Sequence, residues 1–203
     1  MLSQIRPAIV LLALFTLLTG LVYPLAITAV AQLVMPDPAN GSLLVVDGKP
    51  VGSALIGQAF ASDKYFHPRP SATQAQDPAH PDDSSKTIDA PYNAANSTGS
   101  NLGPTSQKLL DRVKADVDAK RAAGWTGPIP ADAVTTSASG LDPHISPENA
   151  LAQVAVVAKA RNLPADKVRA LVEANVEGAL GVVGEPRVNV LRLNIALDAL
   201  KGS

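Results

Sequence analysis

The 203-residue chain has a formal net charge of −1 and no cysteine. A disulfide framework and thiolate metal sites are therefore excluded, and no basic patch of the kind nucleic acid needs is visible. Aromatic residues make up 3%, so a core must be built from Ala, Val, Leu and Ile, which bury less area per residue than aromatic rings.

Between Arg6 and Asp37 no side chain is charged, a run of 30 residues. A helix needs about 20 apolar residues to cross the hydrocarbon core of a bilayer. The run predicts a transmembrane helix over 7–34, with residues 1–6 on one side and a soluble domain, 35–203, on the other. A cleaved secretory signal is the competing reading, because Ala29-Val30-Ala31 places small residues before Gln32. The length favours a retained anchor, since signal cores span about 7–15 residues. Thr16, Gly20, Pro24 and Thr28 recur at steps of four. Helices in lipid associate by close approach at such residues, so this stripe is the predicted packing site for a partner helix. Pro24 lacks an N–H and its ring presses toward the Gly20 carbonyl, which predicts a bend. Arg6 and the α-amino group precede the span, and Lys49 is the first basic residue after it. The positive-inside bias then puts the N-terminus in the cytoplasm and the domain outside the cell (inner) membrane.

After the span, residues 37–203 carry 16 basic and 18 acidic side chains. Ser42–Phe60 reads as a hairpin, with strands at Leu43–Val46 and Val51–Ile56 and the turn dipeptide Asp47-Gly48. Residues 67–104 hold six prolines and many Ser, Asp and Asn, with no surviving period. They predict an extended, partly ordered surface loop that a partner holds. A helix follows at 106–122, capped by Thr105 or Ser106, striped by Leu109, Leu110, Val113 and Val117, and ended by Gly124. Asp132–Ser137 reads as a short strand. Ser146, Pro147 and Glu148 form a helix start, and Ala150, Leu151, Val154, Val157 and Ala158 line its apolar face. A further helix begins at Pro164 and carries Val168, Leu171, Val172 and Val176. Asn189 caps a last helix with Leu191, Ile195 and Leu197 inward. The class is α+β: one N-terminal transmembrane helix, then a single soluble domain of a small sheet with several helices.

Candidate chemistry is sparse. Gly99-Ser100-Asn101-Leu102-Gly103-Pro104-Thr105 falls short of a phosphate loop, lacking its lysine and its glycine spacing. A turn into a helix is the simpler reading. His67, His80 and His144 are not paired at metal-ligand spacing. Asp142, His144 and Ser146 lie within five residues, but triad members meet in space rather than along the chain. Ser146 is better used as a cap and Asp142 as an acceptor of backbone N–H groups. No catalytic or metal residue is assigned. Arg69, between Pro68 and Pro70, is held extended and suited to fork onto a carboxylate. With Tyr65 and Phe66 it forms a candidate partner-docking segment.

Five strings together resemble one family: Gly52–Gln58 (GSALIGQ), Tyr65–Ala72 (YFHPRPSA), Gly99–Pro104 (GSNLGP), Ser139–Pro147 (SGLDPHISP) and Arg187–Leu191 (RVNVL). Their order after one N-terminal span is similar to the C subunit of the Kdp potassium-transporting P-type ATPase. The resemblance covers nearly the whole chain. It implies an accessory subunit rather than a catalyst. The implied partners are a potassium channel-like subunit and an ATP-hydrolysing subunit, in separate chains within the lipid bilayer. It also implies a stabilising role, and a catalytic-chaperone role in which ATP is bound within the complex and its affinity for the hydrolysing subunit is raised. A domain outside the cell conflicts with the second role, because ATP is cytoplasmic. A membrane-anchored extracytoplasmic scaffold or binding protein unconnected with ion transport is the alternative.

Overall fold

The computed structural model describes residues 2–178 and 184–200 and divides into two compact units, Met1–Leu43 and Leu44–Ser203. In the first, α1 (Ile5–Leu17), a π turn (Leu18–Val22) and α2 (Tyr23–Val34) make one continuous helix. It has 30 residues, and an 18-residue stretch within it has a mean hydropathy of 2.3. At about 1.5 Å per residue it is about 45 Å long, enough for the hydrocarbon core and both headgroup layers. None of its residues is buried by the chain itself. Pro24 acts through the π turn, where the Tyr23 N–H bonds the Leu18 carbonyl five residues back. After the helix, α3 (Pro36–Ala39) turns the chain. The Gln32 and Asn40 amides then exchange two hydrogen bonds, at 3.1 and 3.0 Å.

Strands β1 (Leu43–Val46) and β2 (Lys49–Ser53) form the expected hairpin, which ends three residues short of Ile56. Its turn residues have positive φ, 50° at Asp47 and 75° at Gly48, as a type I′ turn requires. The proline-rich stretch contains a second hairpin, β3 (Gln74–Gln76) with β4 (Thr87–Asp89), antiparallel with Ala75 opposite Ile88. Side-chain bonds rather than apolar periodicity order this segment. The Thr73 hydroxyl donates to the Ala90 carbonyl at 2.6 Å, and the Asn93 amide donates to the Gln74 carbonyl at 2.8 Å.

Helix α4 (Gln107–Ala122) closes as expected at Gly124. The Trp125 N–H bonds the Lys120 carbonyl and the Gly124 N–H bonds that of Arg121, a Schellman ending. Ser106 takes the N-cap position but makes no side-chain cap bond. The apolar stripe of α4 is not buried: Leu110 is 55% exposed and Leu109, Val113 and Val117 are at most half-buried. The expected strand at 132–137 is absent; Ala131–Ala133 is a 3-10 turn. Asp132 there accepts from the Ser146 N–H and hydroxyl and from the Asn149 amide, which holds the chain in a turn.

The core lies where α5 (Pro147–Arg161), α6 (Ala165–Ala174) and α7 (Val190–Ala199) pack around a three-stranded sheet in the order β5-β7-β6. Central β7 (Arg187–Asn189) pairs antiparallel with β5 (His144–Ile145) and β6 (Val176–Glu177), placing Val188 opposite Ile145 and Val176. Val176 thus belongs to a strand, not to the helix expected to carry it. Ser146 caps α5 by accepting the Asn149 N–H, and Asn189 caps α7 by accepting that of Arg192. On α7 the buried face includes Val190, Leu193, Asn194 and Leu197, spaced at three and four. Ile195 falls beside it and is half-buried.

Candidate functional site

Four of the five signature strings pack against or beside the loop Ser139–Ser146, which carries the other. The Gly57 N–H bonds the Leu141 carbonyl at 2.8 Å, and a Cβ on Gly57 would lie 2.6 Å from the Asp142 carbonyl oxygen. Gly140, at φ +67°, accepts at its carbonyl from the Ser71 hydroxyl at 2.7 Å. A Cβ on Gly99 would lie 2.7 Å from the Ala138 carbonyl oxygen, so this glycine allows close backbone packing. The Val190 N–H bonds the Pro143 carbonyl, and the Asn189 amide donates to the Ala54 carbonyl at 2.9 Å.

A chain of charges crosses this hub. Arg69 lies 3.3 Å from Asp142, which accepts the His144 N–H at 3.0 Å. The His144 ring stands between Asp142 and Glu177 at 3.6 and 3.8 Å, and Arg187 lies 3.4 Å from Glu177. Burial raises the pKa of the Asp142 carboxyl. The hydrogen bonds from the His144 side chain and backbone, and the charges of Arg69 and His144, outweigh it and hold the group below its ordinary value. Burial, then the Asp142 charge, pushes the Tyr92 phenol well above its ordinary value, and its hydroxyl donates to the Arg69 carbonyl at 2.7 Å. Beside the hub lies an open cleft of about 900 Å³, lined by Arg69, Asp132, Asp142, His144, Glu148 and Arg187 among others. Ser146 faces it with its hydroxyl already committed to Asp132 and to the α5 cap. Asp142, His144 and Ser146 form no nucleophile–base pair, and Asp142, the backbone acceptor expected from the sequence, holds the turn.

The docking residues expected from the sequence are all engaged within the domain. Phe66 is fully enclosed in the core and has no surface to offer. Arg69 meets a carboxylate, but an internal one and through a single N–H, and also donates to the Thr136 carbonyl at 3.1 Å. Tyr65 is half-buried; its hydroxyl meets Asp198 at 3.3 Å and its ring lies under the Arg161 guanidinium at 4.7 Å. The residues that hold this segment are buried amides. Asn194 accepts from the Phe66 N–H at 2.8 Å and donates to its carbonyl at 3.0 Å. Gln153 does the same for His67, at 2.7 and 3.0 Å. Each stands in for a missing neighbouring strand. Their signal in the sequence is an amide set among the apolar positions of a helix.

On the membrane helix, Thr16 and Gly20 line a shallow groove with Ile9, Leu12, Ala13 and Leu17. A Cβ on Gly20 would meet nothing within 4 Å. The Thr28 hydroxyl donates to the Pro24 carbonyl at 2.9 Å, so the stripe presents no unsatisfied polar group to lipid at that end.

A family model described as K+-transporting ATPase, c chain, matches residues 5–199. A "Potassium-transporting ATPase KdpC subunit" of Bradyrhizobium diazoefficiens is 62% identical over 98% of both chains. One from Rhodopseudomonas palustris is 62% identical over 99% of this chain and 100% of its own. One from Methylobacterium nodulans is 61% identical over the full length of both. With this similarity running from the membrane helix through the hub to α7, the chain belongs to the KdpC family, the accessory c chain of the K+-transporting ATPase.

Proposed function

We propose that this accessory subunit is a membrane-held scaffold. Its N-terminus lies in the cytoplasm, its helix spans the cell (inner) membrane, and residues 35–203 lie outside. It stabilises the association of the potassium channel-like subunit with the ATP-hydrolysing subunit. The observation that carries this reading is the 30-residue helix, uncharged after Arg6 and with no residue buried by its own chain. The groove at Thr16 and Gly20, continued by Pro24 and Thr28, accepts a neighbouring helix by close backbone approach. The domain is anchored to the same assembly rather than to a diffusing partner.

A second reading, the ATP-affinity role, has one observation in its favour. Lys108 and Arg112 of α4 line a cavity of about 530 Å³ with Gly99 and Ser100, so cations stand beside the segment whose own sequence lacks the phosphate-loop lysine. That reading requires the domain to face the cytoplasm, where ATP is. One experiment separates the two. A cysteine placed by Ser84→Cys on this cysteine-free chain reacts with a membrane-impermeant maleimide in intact cells if the domain is outside. Labelling only after the membrane is broken reverses the topology and favours the nucleotide role.

A further inference from the structure

Outside the membrane helix, the exposed large apolar side chains of the described residues are concentrated in one stretch of the chain. Leu43, Val45, Val51, Leu55 and Ile56 are all at least 36% exposed and fall within the β1–β2 hairpin and the turn after it. Beyond Met35 only Ile88 and Leu110 lie elsewhere. The chain fixes where this patch begins. Asn40 is bonded through its amide to Gln32, two residues before the end of the helix. Leu43 follows three residues later, so it lies within about 10 Å of Asn40 along the backbone.

We propose that the β1–β2 hairpin is a membrane-surface element whose aliphatic side chains enter the boundary between lipid headgroups and acyl chains. This rests on reading Ile5–Val34 as a membrane anchor. Three features favour lipid over a protein partner. The patch follows closely in the chain on the exposed apolar end of the anchor, where Leu33, Val34 and Met35 are 85%, 71% and 51% exposed. It holds no Trp, Tyr or Arg, the residues that dominate protein hot spots. Its ionisable groups are one acid and one base, Asp47 and Lys49. Such a pair gives no net field to steer a charged partner, and the lysine stem can lie along the surface with its ammonium among phosphates. The headgroup layer contains water, so the free edges of a two-stranded hairpin are solvated there, as they are not in the hydrocarbon core.

The test uses single cysteines, V45C, S84C and L25C, labelled with an environment-sensitive fluorophore. They are measured in the full chain in phosphatidylcholine vesicles and in the assembled complex with cysteine-free partner subunits. Lipids with a nitroxide at a shallow acyl position should quench the V45C probe several-fold more than the S84C probe, in both preparations, and aqueous iodide should show the reverse order. Equal quenching of V45C and S84C overturns the proposal. So does lipid quenching of V45C that disappears in the complex, which would assign the hairpin to a protein partner. The L25C probe in the isolated chain must be quenched by lipid whatever V45C does; if it is not, the anchor reading itself fails.

Discussion

Replacing Asn194 by leucine tests whether the segment carrying Tyr65–Pro70 is held by buried amides. Asn194 is 2% exposed and satisfies both backbone groups of Phe66, itself fully buried. Leucine is close in volume, so no large cavity opens, but the Phe66 N–H and carbonyl lose their partners. Each orphaned buried group costs about 1–3 kcal/mol. Burial of the leucine side chain offsets about 1.5–3 kcal/mol of that total. With the two fully enclosed groups together at about 5 kcal/mol, the expected net loss after that offset is about 2–3.5 kcal/mol. Urea unfolding of the full chain in detergent micelles, followed by the fluorescence of Trp125, the only tryptophan, measures it. With a slope of about 2 kcal/mol per molar, the midpoint should fall by about 1–1.8 M. A fall under about 0.3 M at unchanged slope would refute the amide clamp. Gln153→Leu should act alike on His67. Because the two amides grip adjacent residues, the double variant should lose less than the sum.

Gly20→Leu should leave the chain folded, since open space surrounds Gly20, yet lower co-purification of the partner subunits about tenfold, or about 1.4 kcal/mol. Undiminished recovery would place the holding contacts elsewhere. Equilibrium dialysis of the chain with ATP should find no sub-micromolar binding, as Gly99 is seated against Ala138; tight binding weakened by Lys108→Ala would reverse this. His67 is held below its ordinary pKa by burial and then by the Lys120 charge. The fold therefore favours neutral His67. The stability this contributes is complete above the unfolded value of about 6.5 and is lost as pH falls through the folded value. His67→Gln should flatten that part of the decline in urea midpoint between about pH 7.5 and 5. An unaltered decline would show that another group drives it.

The helices are readable from the sequence because their ends carry local chemistry. Ser146-Pro147-Glu148, Asn189 and Gly124 each fix a boundary by satisfying or releasing backbone groups within a few residues. Asp47-Gly48 does the same for the first hairpin. Long-range effects are not readable. Val176 follows a helix in sequence but joins β7 across the sheet, a pairing that no local period encodes. Leu110 has the spacing of a core residue, yet α4 lies on a surface with little apolar area to cover it. The site shows the same division. Arg69 can be read as a carboxylate clamp, but its partner, Asp142, stands 73 residues away. Asn194 and Gln153 escape a sequence reading because an amide on an apolar helix face matters only once the strand it replaces is known.

The π turn before Pro24 also sets an angular phase. In an α-helix each residue turns about 100°, so a four-residue step overshoots a full turn by about 40°. Over the three steps from Thr16 to Thr28 the stripe would drift about 120°, a third of the way around the helix. A π turn fits an extra residue into one turn and rotates the helix beyond it backwards, against that drift. It falls at Leu18–Val22, between the first and third members of the stripe. Thr16 and Thr28 are thereby brought nearer to a common meridian. On this geometry the proline works less as a bend than as an index mark, keeping the lower and upper halves of the stripe turned to the same side of the helix.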